Sequence, residues 1–255
     1  MNLIDTHAHI YHPQFDGDRE AMIQKAFDAG LIHMYMPNIN EESVQAMMKL
    51  FEQSPEQCLP MLGIHPCDVH DNAEHSLDKL RKQYEDIPFR AVGETGLDLY
   101  WDKSTLALQQ RLLNYHLQWA LDEDLPIVLH SRNATRETID QVKPFAEKGL
   151  RGIFHCFSGS LDQAQAIVDM GMLLGIGGVV TFKNGGLEPI IQHLGLSNIV
   201  LETDAPFLAP VPHRGKRNSP EYLPLIAQKI AELSSLSLTD VCKITTHNAL
   251  ALFEK

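Results

Sequence analysis

The chain has 255 residues, of which 44% are hydrophobic and 21% are charged, an ordinary globular composition with enough apolar residues for a large core. The formal charge of −12 excludes a broad basic surface for nucleic acid, so a polyanionic ligand would have to be held locally. The sequence has no apolar run of the roughly 18–20 residues that a membrane span needs, no leader pattern at its start, and four scattered cysteines typical of free thiols. These features predict a cytoplasmic protein that does not enter a membrane.

Short apolar segments alternate with amphipathic segments along the chain. The apolar segments are rich in Val, Ile, Leu and Met, as buried parallel strands are. The predicted strands are Leu3–His7, Leu31–Met36, Cys58–His65, Arg90–Glu94, Ile127–His130, Gly152–His155, Met172–Ile176 and Ile199–Asp204. Helical spacing predicts helices that include Arg19–Ala29, Glu42–Phe51, Thr105–Asp122, Ala134–Phe145, Leu161–Met170, Glu221–Leu233 and a last one over Leu238–Phe253. Ser160 and Ser219 precede two of them and are predicted N-caps.

Eight strand–helix repeats in a chain of this length indicate an α/β fold, a single (β/α)₈ TIM-type barrel of one domain over residues 1–255. Such a barrel needs about 250 residues, and the last helix would close it. A doubly wound open sheet is the competing architecture. The positions of the polar residues favour the barrel, because its chemistry lies at the carboxyl ends of the strands.

Most predicted strands end in a histidine or a carboxylate. The polar residues at these ends are His7 and His9, His65, Glu94, His130, His155 and Asp204. His7 and His9 are two residues apart, so on a strand both imidazoles would point to the same side. Closing the barrel would bring the residues of the other strands to the same rim.

Imidazole and carboxylate ligands together suit zinc, manganese, iron or nickel. The set without His65 has six members, more than one tetrahedral site requires. The surplus predicts two divalent metal ions, which in such sites are about 3.5–4 Å apart. Two cations at that distance repel each other, and Glu94 on the middle strand is the natural carboxylate to lie between them.

The motifs at the strand ends resemble those of the TatD family of metal-dependent deoxyribonucleases, in the amidohydrolase superfamily. The resemblance covers nearly the whole chain. The matching segments are Asp5-Thr6-His7-Ala8-His9, Gly63-Ile64-His65-Pro66, Gly93-Glu94-Thr95-Gly96-Leu97-Asp98, His130-Ser131-Arg132, His155-Cys156-Phe157-Ser158-Gly159, Glu202-Thr203-Asp204-Ala205-Pro206 and Asn248.

The resemblance implies one metal ion held by His7, His9, Glu94 and Asp204, and a second held by Glu94, His130 and His155. The metals expected are Zn, Mg or Mn. The resemblance also implies cleavage of phosphodiester bonds of DNA, from the 3′ end of a single strand. Nothing in the sequence forbids a monomer.

Asp204 is the predicted catalytic residue. A carboxylate beside the attacking water can accept its proton and then deliver that proton to the leaving oxygen. Glu202 lies two residues earlier and would be one pleat deeper, further from substrate.

Five residues near the strand ends are candidate substrate contacts: His65, Arg132, Lys183, Arg214 and Lys216. Arg132 could bind a phosphate with two N–H groups or form a salt bridge at the rim. His65 could contact substrate, support a ligand, or be a structural histidine. The cations after strands seven and eight lie where barrels often bind phosphate, although solvated loops are also rich in charge. Tyr100 and Trp101 could stack a base or cover the barrel, and Asp98 is interpreted as a structural loop residue.

Three functions remain open at this point. The first is a dinuclear phosphodiesterase acting on single-stranded DNA. The second is a hydrolase with the same metal site that cleaves an ester, a lactone, an amide or an aminoacyl-tRNA bond, because polarising a carbonyl and a phosphoryl uses the same groups. The third is a metal-binding interaction protein without turnover, and the complete ligand set argues against it.

Overall fold

The computed structural model describes residues 2–254, which contain eight parallel β-strands and nine α-helices in alternation. The strands are β1 (Leu3–Asp5), β2 (Leu31–Pro37), β3 (Cys58–Met61), β4 (Val92–Asp98), β5 (Ile127–Arg132), β6 (Gly152–Phe154), β7 (Leu173–Ile176) and β8 (Ile199–Leu201). The helices are α1 (Arg19–Asp28), α2 (Glu41–Gln53), α3 (Ala73–Gln83), α4 (Leu106–Asp122), α5 (Thr135–Ala146), α6 (Leu161–Asp169), α7 (Glu188–Leu194), α8 (Leu223–Ser234) and α9 (Leu238–Phe253).

The strands close into a (β/α)₈ barrel, which confirms the predicted fold class and excludes the open sheet. Strands β1 to β3 and β4 to β8 pair in chain order. A parallel bridge between Leu62 and Val92 joins the two groups after β3. The ring closes between β8 and β1, where the Thr6 amide donates to the Leu201 carbonyl at 3.0 Å.

Apolar side chains fill the barrel from inside. Seven of the eight strands, or the residue just before them, supply a buried side chain to this inner cluster, and β7 adds the partly buried Leu173. The buried members are Ile4, Tyr35, Leu59, Met61, Ala91, Val128, Ile153 and Val200 with Ala249, Leu252 and Phe253 of α9. The Phe253 ring stacks on Tyr35 with 3.9 Å between centroids. Asn248 donates to the carbonyls of Leu196 and Ile199, both at 2.8 Å, which fixes α9 at the amino end of β8. Helix α9 therefore closes the end of the barrel opposite the predicted site.

Several predicted strands are longer than the observed ones. Strands β1, β6 and β8 end at Asp5, Phe154 and Leu201, so the polar residues predicted at their ends lie in the segments that follow. Strand β4 differs in the other direction, because it continues to Asp98 and contains Glu94. Its pairing with β5 shifts register between Val92 and Thr95.

One of the two predicted N-caps is wrong. Ser160 caps α6 through a capping box, in which its hydroxyl accepts from the Gln163 amide and the Gln163 side chain accepts from the Ser160 amide. Ser219 precedes a 3₁₀ turn at Pro220–Tyr222 instead of the α-helix, and its side chain makes no capping hydrogen bond. No helix among residues 2–254 combines the length and the apolar character needed to cross a membrane.

Candidate metal centre

All six predicted metal ligands meet at the carboxyl end of the barrel, around the side chain of Glu94. Glu94 Oε1 lies 2.7 Å from His155 Nε2 and 2.9 Å from His130 Nδ1. Glu94 Oε2 lies 3.2 Å from His7 Nε2 and 3.5 Å from His9 Nε2. The two carboxylate oxygens therefore face two different pairs of histidines.

Asp204 completes the side of the cluster that holds His7 and His9. Its Oδ1 lies 3.7 Å from His7 Nε2 and 3.5 Å from His9 Nε2. The side chain of Asp204 is 13% exposed, whereas that of Glu94 is 3% exposed. Asp204 is thus the carboxylate of the cluster that a substrate can reach more easily.

The extended segment after β1 aims His7 and His9 at each other, with 3.2 Å between their Nε2 atoms. Asp5 at the end of β1 fixes this segment, because its carboxylate accepts from the amides of His7 at 3.2 Å and Thr203 at 2.9 Å. Burial raises the pKa of Asp5 to about 7. The same carboxylate therefore joins β1 to the segment that carries Asp204.

Hydrogen bonds on the outer side of the cluster determine which ring nitrogen of His130 and of His9 faces Glu94. His130 Nε2 lies 2.9 Å from Asp98 Oδ2, which leaves Nδ1 to face Glu94. His9 Nδ1 lies 3.0 Å from the Tyr11 hydroxyl, which itself donates to the Pro37 carbonyl at 2.6 Å, and this leaves Nε2 to face the cluster. Carboxylate or carbonyl partners of this kind orient histidine ligands in metal sites.

His155 has a carboxylate behind it as well. Its Nδ1 lies 3.7 Å from Glu202 Oε1, which also accepts from the Cys156 amide at 2.5 Å. Gly175 on β7 makes room for this carboxylate, since a Cβ at that position would overlap Glu202 Oε2. Glu202 is fully buried and points away from the substrate side of the cluster.

The charges of the cluster depend on one another. Burial favours the neutral acid of Glu94, yet the positive charge on His155 holds the pKa of Glu94 well below its ordinary value. Burial likewise lowers the pKa of His155, but the negative charge of Glu94 more than offsets this and raises that pKa well above the usual value. The buried carboxylate of Glu94 therefore stabilises positive charge placed beside it.

The donor set fits divalent metal ions. Ring nitrogens of four histidines lie within 3.5 Å of the carboxylate oxygens of Glu94 in a buried site, and imidazole together with carboxylate is the ligand set that divalent transition metals favour. Three groups have ligand atoms close enough together to hold an ion: His7 with His9 and Glu94, His7 with His155 and Asp204, and His65 with Glu94 and His130.

The structure also brings His65 into the cluster, with Nε2 3.3 Å from His130 Nδ1 and 3.5 Å from Glu94 Oε1. Its Nδ1 accepts from the Cys67 amide at 3.0 Å. A neutral His65 therefore carries its proton on Nε2, so it presents an N–H donor to the cluster.

The four predicted cations lie around the mouth but outside the cluster. Arg132 at the end of β5 stacks on Tyr100, and Arg214 stacks on Phe182 at 4.4 Å. Lys183 and Lys216 are exposed in the loops after β7 and β8. Arg132, Lys183, Arg214 and Lys216 form no ion pair within residues 2–254, so the alternative of a rim salt bridge for Arg132 is wrong. Arg217 in the same loop differs, because it binds Asp18 through two nitrogens.

Sequence reasoning missed the parts that Asp98 and Glu202 play here. Asp98 does shape a loop, as expected, because its Oδ1 accepts from the amides of Tyr100 at 2.9 Å and Trp101 at 3.2 Å. It also holds His130 through Oδ2. The sequence offered two signals: Glu202 lies two residues before Asp204, and Asp98 lies four residues after Glu94. No spacing rule, however, predicts which histidine each of these carboxylates contacts.

A barrel whose carboxyl end gathers histidines and carboxylates in this way defines a metal-dependent hydrolase. The family model "TatD related DNase" matches residues 4–254. The chain belongs to the TatD family.

Individual relatives agree with this assignment. The chain is 34% identical over 252 residues to "Uncharacterized metal-dependent hydrolase YabD" of Bacillus subtilis, with 98% of each chain covered. It is 31% identical over 258 residues to "3'-5' ssDNA/RNA exonuclease TatD" of Edwardsiella piscicida, with 98% of this chain and 99% of the relative covered. The crystal structure of the TatD homologue YjjV of Escherichia coli superposes with a TM-score of 0.91 at 32% identity, covering 99% of this chain and 98% of the other.

Proposed function

We propose that the protein is a deoxyribonuclease that hydrolyses phosphodiester bonds of single-stranded DNA from the 3′ end, with two divalent metal ions, Zn, Mg or Mn, held by the cluster. The observation that carries the proposal is the position of Glu94, whose two oxygens face two separate pairs of histidines. This geometry suits a carboxylate that bridges two metal ions. His7, His9, Glu94 and Asp204 would hold one ion, and Glu94, His130 and His155 the other.

The residues of the chain can perform the steps that a phosphodiesterase needs. When bound, divalent ions polarise phosphoryl oxygens and lower the pKa of water toward about 7. Burial alone would raise the pKa of Asp204, but the hydrogen bond from His9 and the charge of His7 lower it, so Asp204 is ionised and can accept a proton. Asp204 would take the proton of the attacking water and return it to the leaving oxygen, while His65 Nε2–H donates to a non-bridging oxygen.

The unpaired cations support a polyanionic substrate. Arg132, Lys183, Arg214 and Lys216 are exposed and free of ion pairs in the described chain, whereas the chain as a whole carries a formal charge of −12. The relative from Edwardsiella piscicida is named for exonuclease action on single-stranded DNA and RNA. We place the protein in the cytoplasm, in keeping with its four free cysteines.

A substrate panel tests the proposal. Purified protein with Mg²⁺, Mn²⁺ or Zn²⁺ is given 3′-labelled single-stranded DNA, the matching duplex, and carboxylic ester, lactone and aminoacyl-tRNA substrates. We expect labelled mononucleotides to be released from the single strand, and much less from the duplex. The Asp204→Asn protein, purified in the same way, controls for a contaminating nuclease. Turnover of a carbonyl substrate with every DNA left intact would replace the proposal by the ester or amide alternative.

A further inference from the structure

Exposed large apolar side chains are concentrated at the mouth of the barrel. Of the six such residues between positions 2 and 254, five lie in the loops after β4 and β8: Tyr100, Trp101, Phe207, Leu208 and Val211. In an eight-stranded barrel these two strands stand opposite each other, so the two loops flank the metal centre. Trp101 is 70% exposed and Tyr100 is 51% exposed, which leaves aromatic faces in contact with solvent. Clustered exposure of this kind marks a binding surface.

The two aromatic residues after β4 form a composite surface with Arg132. The guanidinium carbon of Arg132 lies 3.7 Å from the centroid of the Tyr100 ring and 5.4 Å from that of Trp101. The Trp101 ring stands perpendicular to the Tyr100 ring with 4.9 Å between their centroids, and Trp101 is the more exposed of the two. Because Arg132 has no carboxylate partner in the described chain, its N–H groups are free for a phosphate while its flat face stays on the ring.

A single carboxylate joins this surface to the metal centre. Asp98 Oδ1 accepts from the amides of Tyr100 and Trp101, and Asp98 Oδ2 accepts from His130 Nε2. Asp98 itself is buried. The aromatic pair is therefore held at a fixed place beside a predicted metal ligand.

We propose that Tyr100, Trp101 and Arg132 form a platform on which a base of single-stranded nucleic acid stacks while the adjoining phosphodiester lies at the metal centre. This inference rests on the phosphodiesterase activity proposed above, and it names the feature of the substrate that the enzyme selects. A base fits this surface because it offers a π-face to Trp101, while its phosphate reaches the free N–H groups of Arg132. Stacking of this kind tolerates any base, so the platform selects nucleotides over simple phosphodiesters.

Direct binding tests the platform without turnover. The probe is fluorescently labelled hexathymidylate with phosphorothioate linkages, and the matched probe has the same backbone without bases. Fluorescence anisotropy should show about tenfold weaker binding of hexathymidylate to the Trp101→Ala protein than to the natural protein, the size of effect that loss of one stacked base produces. Trp101→Phe should recover most of the affinity. Leu236→Ala removes another exposed apolar side chain, at the other end of the barrel, and should bind as the natural protein does.

Intrinsic fluorescence gives an independent signature. The chain has two tryptophans, of which Trp101 is exposed and Trp119 is buried. Hexathymidylate should quench the emission of the natural protein, the abasic probe should not, and Trp101→Phe should abolish the quenching. Equal affinity of the natural and Trp101→Ala proteins for hexathymidylate, or equal affinity of the natural protein for both probes, would overturn the platform.

Turnover separates this inference from the proposed function. The measured quantity is kcat/KM for thymidine 5′-(p-nitrophenyl phosphate) divided by that for methyl p-nitrophenyl phosphate, and Trp101→Ala should lower this ratio about tenfold. If the natural protein hydrolyses both substrates and the ratio does not change in the variant, the platform is wrong and the phosphodiesterase stands. If it hydrolyses neither but binds and is quenched as described, the phosphodiesterase is wrong and the base site stands.

Discussion

Glu94 holds the proposed centre together, because it alone faces both pairs of histidines. We expect Glu94→Gln to lose more metal than His155→Ala, since an amide offers one weak oxygen ligand where the carboxylate has two charged ones. His155 Nε2 lies 2.7 Å from Glu94 Oε1, and in the proposed arrangement His155 would hold one ion, whereas Glu94 would hold both. Elemental analysis after exhaustive dialysis measures metal per chain, with Leu236→Ala as a folded control. A Glu94→Gln protein that keeps both metals at full occupancy would contradict the bridging role.

Asp204 is predicted to handle a proton as well as to hold metal. Asp204→Asn keeps an oxygen that can coordinate but cannot accept a proton, so turnover should fall about 10²–10⁴-fold with at least one metal retained. Turnover is measured at saturating metal alongside metal content. Near-normal turnover would exclude the proton role. Full recovery on adding excess metal would leave Asp204 as a ligand only.

The placement of individual residues was predictable where it depends on position along a strand. Histidines and carboxylates that end apolar segments meet at one rim whatever the exact strand length, which is why Asp204 lies in the same cluster as His7 and Glu94 although β8 ends earlier than expected. The roles of Asp98 and Glu202 were not predictable, because they depend on which ring nitrogen faces the cluster. That orientation is set by packing across neighbouring strands, such as the space that Gly175 leaves for Glu202.

Among the elements, the long amphipathic helices were predicted within one or two residues, and α9 matches the predicted bounds. The spacing of apolar residues in the sequence did not predict α3 or α7. Helix α3 buries only Ala73, Leu77 and Leu80, so its apolar stripe is thin, and α7 has just 7 residues. Helices this weak in sequence form because the barrel supplies the packing partner, an effect that local propensity does not contain.

The two serines predicted as N-caps allow a matched test of how much helix capping contributes to stability. Ser160→Ala removes a capping box from α6 and should lower the free energy of unfolding by about 1 kcal/mol, or the melting temperature by about 2–4 °C in a chain of this size. Ser219 Oγ is buried and has no hydrogen-bond partner among residues 2–254, so Ser219→Ala should leave stability unchanged or raise it. Urea unfolding of both variants compares them. A larger loss for Ser219→Ala would show that its hydroxyl has a partner.

His116 links helix α4 to the strand ends beneath the metal centre. Its Nε2 accepts from the Ile64 amide at 3.1 Å, its Nδ1 lies 2.8 Å from the Leu112 carbonyl, and burial lowers its pKa to about 4. Between pH 6.5 and 4 the unfolded chain binds a proton at this histidine that the native protein does not. Its contribution to stability is therefore complete above pH 6.5 and falls as the pH is lowered, by about 3 kcal/mol at pH 4.

We expect His116→Gln, which keeps an acceptor and a donor but does not titrate, to lose less stability than the natural protein between pH 7 and 4.5. Urea unfolding at the two pH values measures this. Asp5 has the opposite effect on the pH dependence of stability, because its raised pKa lets the native protein hold a proton up to about pH 7 that the unfolded chain has lost. Asp5 is present in both proteins, so it cancels in the comparison. Parallel pH profiles for the two proteins would show that His116 is not kept neutral.

At the scale of the whole molecule, the mouth of the barrel carries unpaired positive charge although the net charge of the chain is negative. The chain carries −12 overall, yet the mouth presents Arg132, Lys183, Arg214 and Lys216 without carboxylate partners in the described chain. A polyanion is repelled by the net charge of the molecule and attracted by the four cations at the mouth. Such a protein should hold a short single-stranded end and should bind long duplex poorly, because the phosphates of a duplex extend beyond the mouth.

Salt dependence measures how many phosphates are held. On single strands the logarithm of affinity falls by about 0.7 per phosphate contact for each tenfold rise in salt, so four cations allow a slope no steeper than about −3. Binding of the hexathymidylate probe between 50 and about 200 mM salt, the range over which such slopes are read, gives the value. Changing Lys183, Arg214 and Lys216 together to Ala should flatten the slope by up to about 2, from the same 0.7 per contact. A slope near −10, as for proteins that grip duplex along many phosphates, or an unchanged slope in the triple variant would mean that the nucleic acid lies on a different surface.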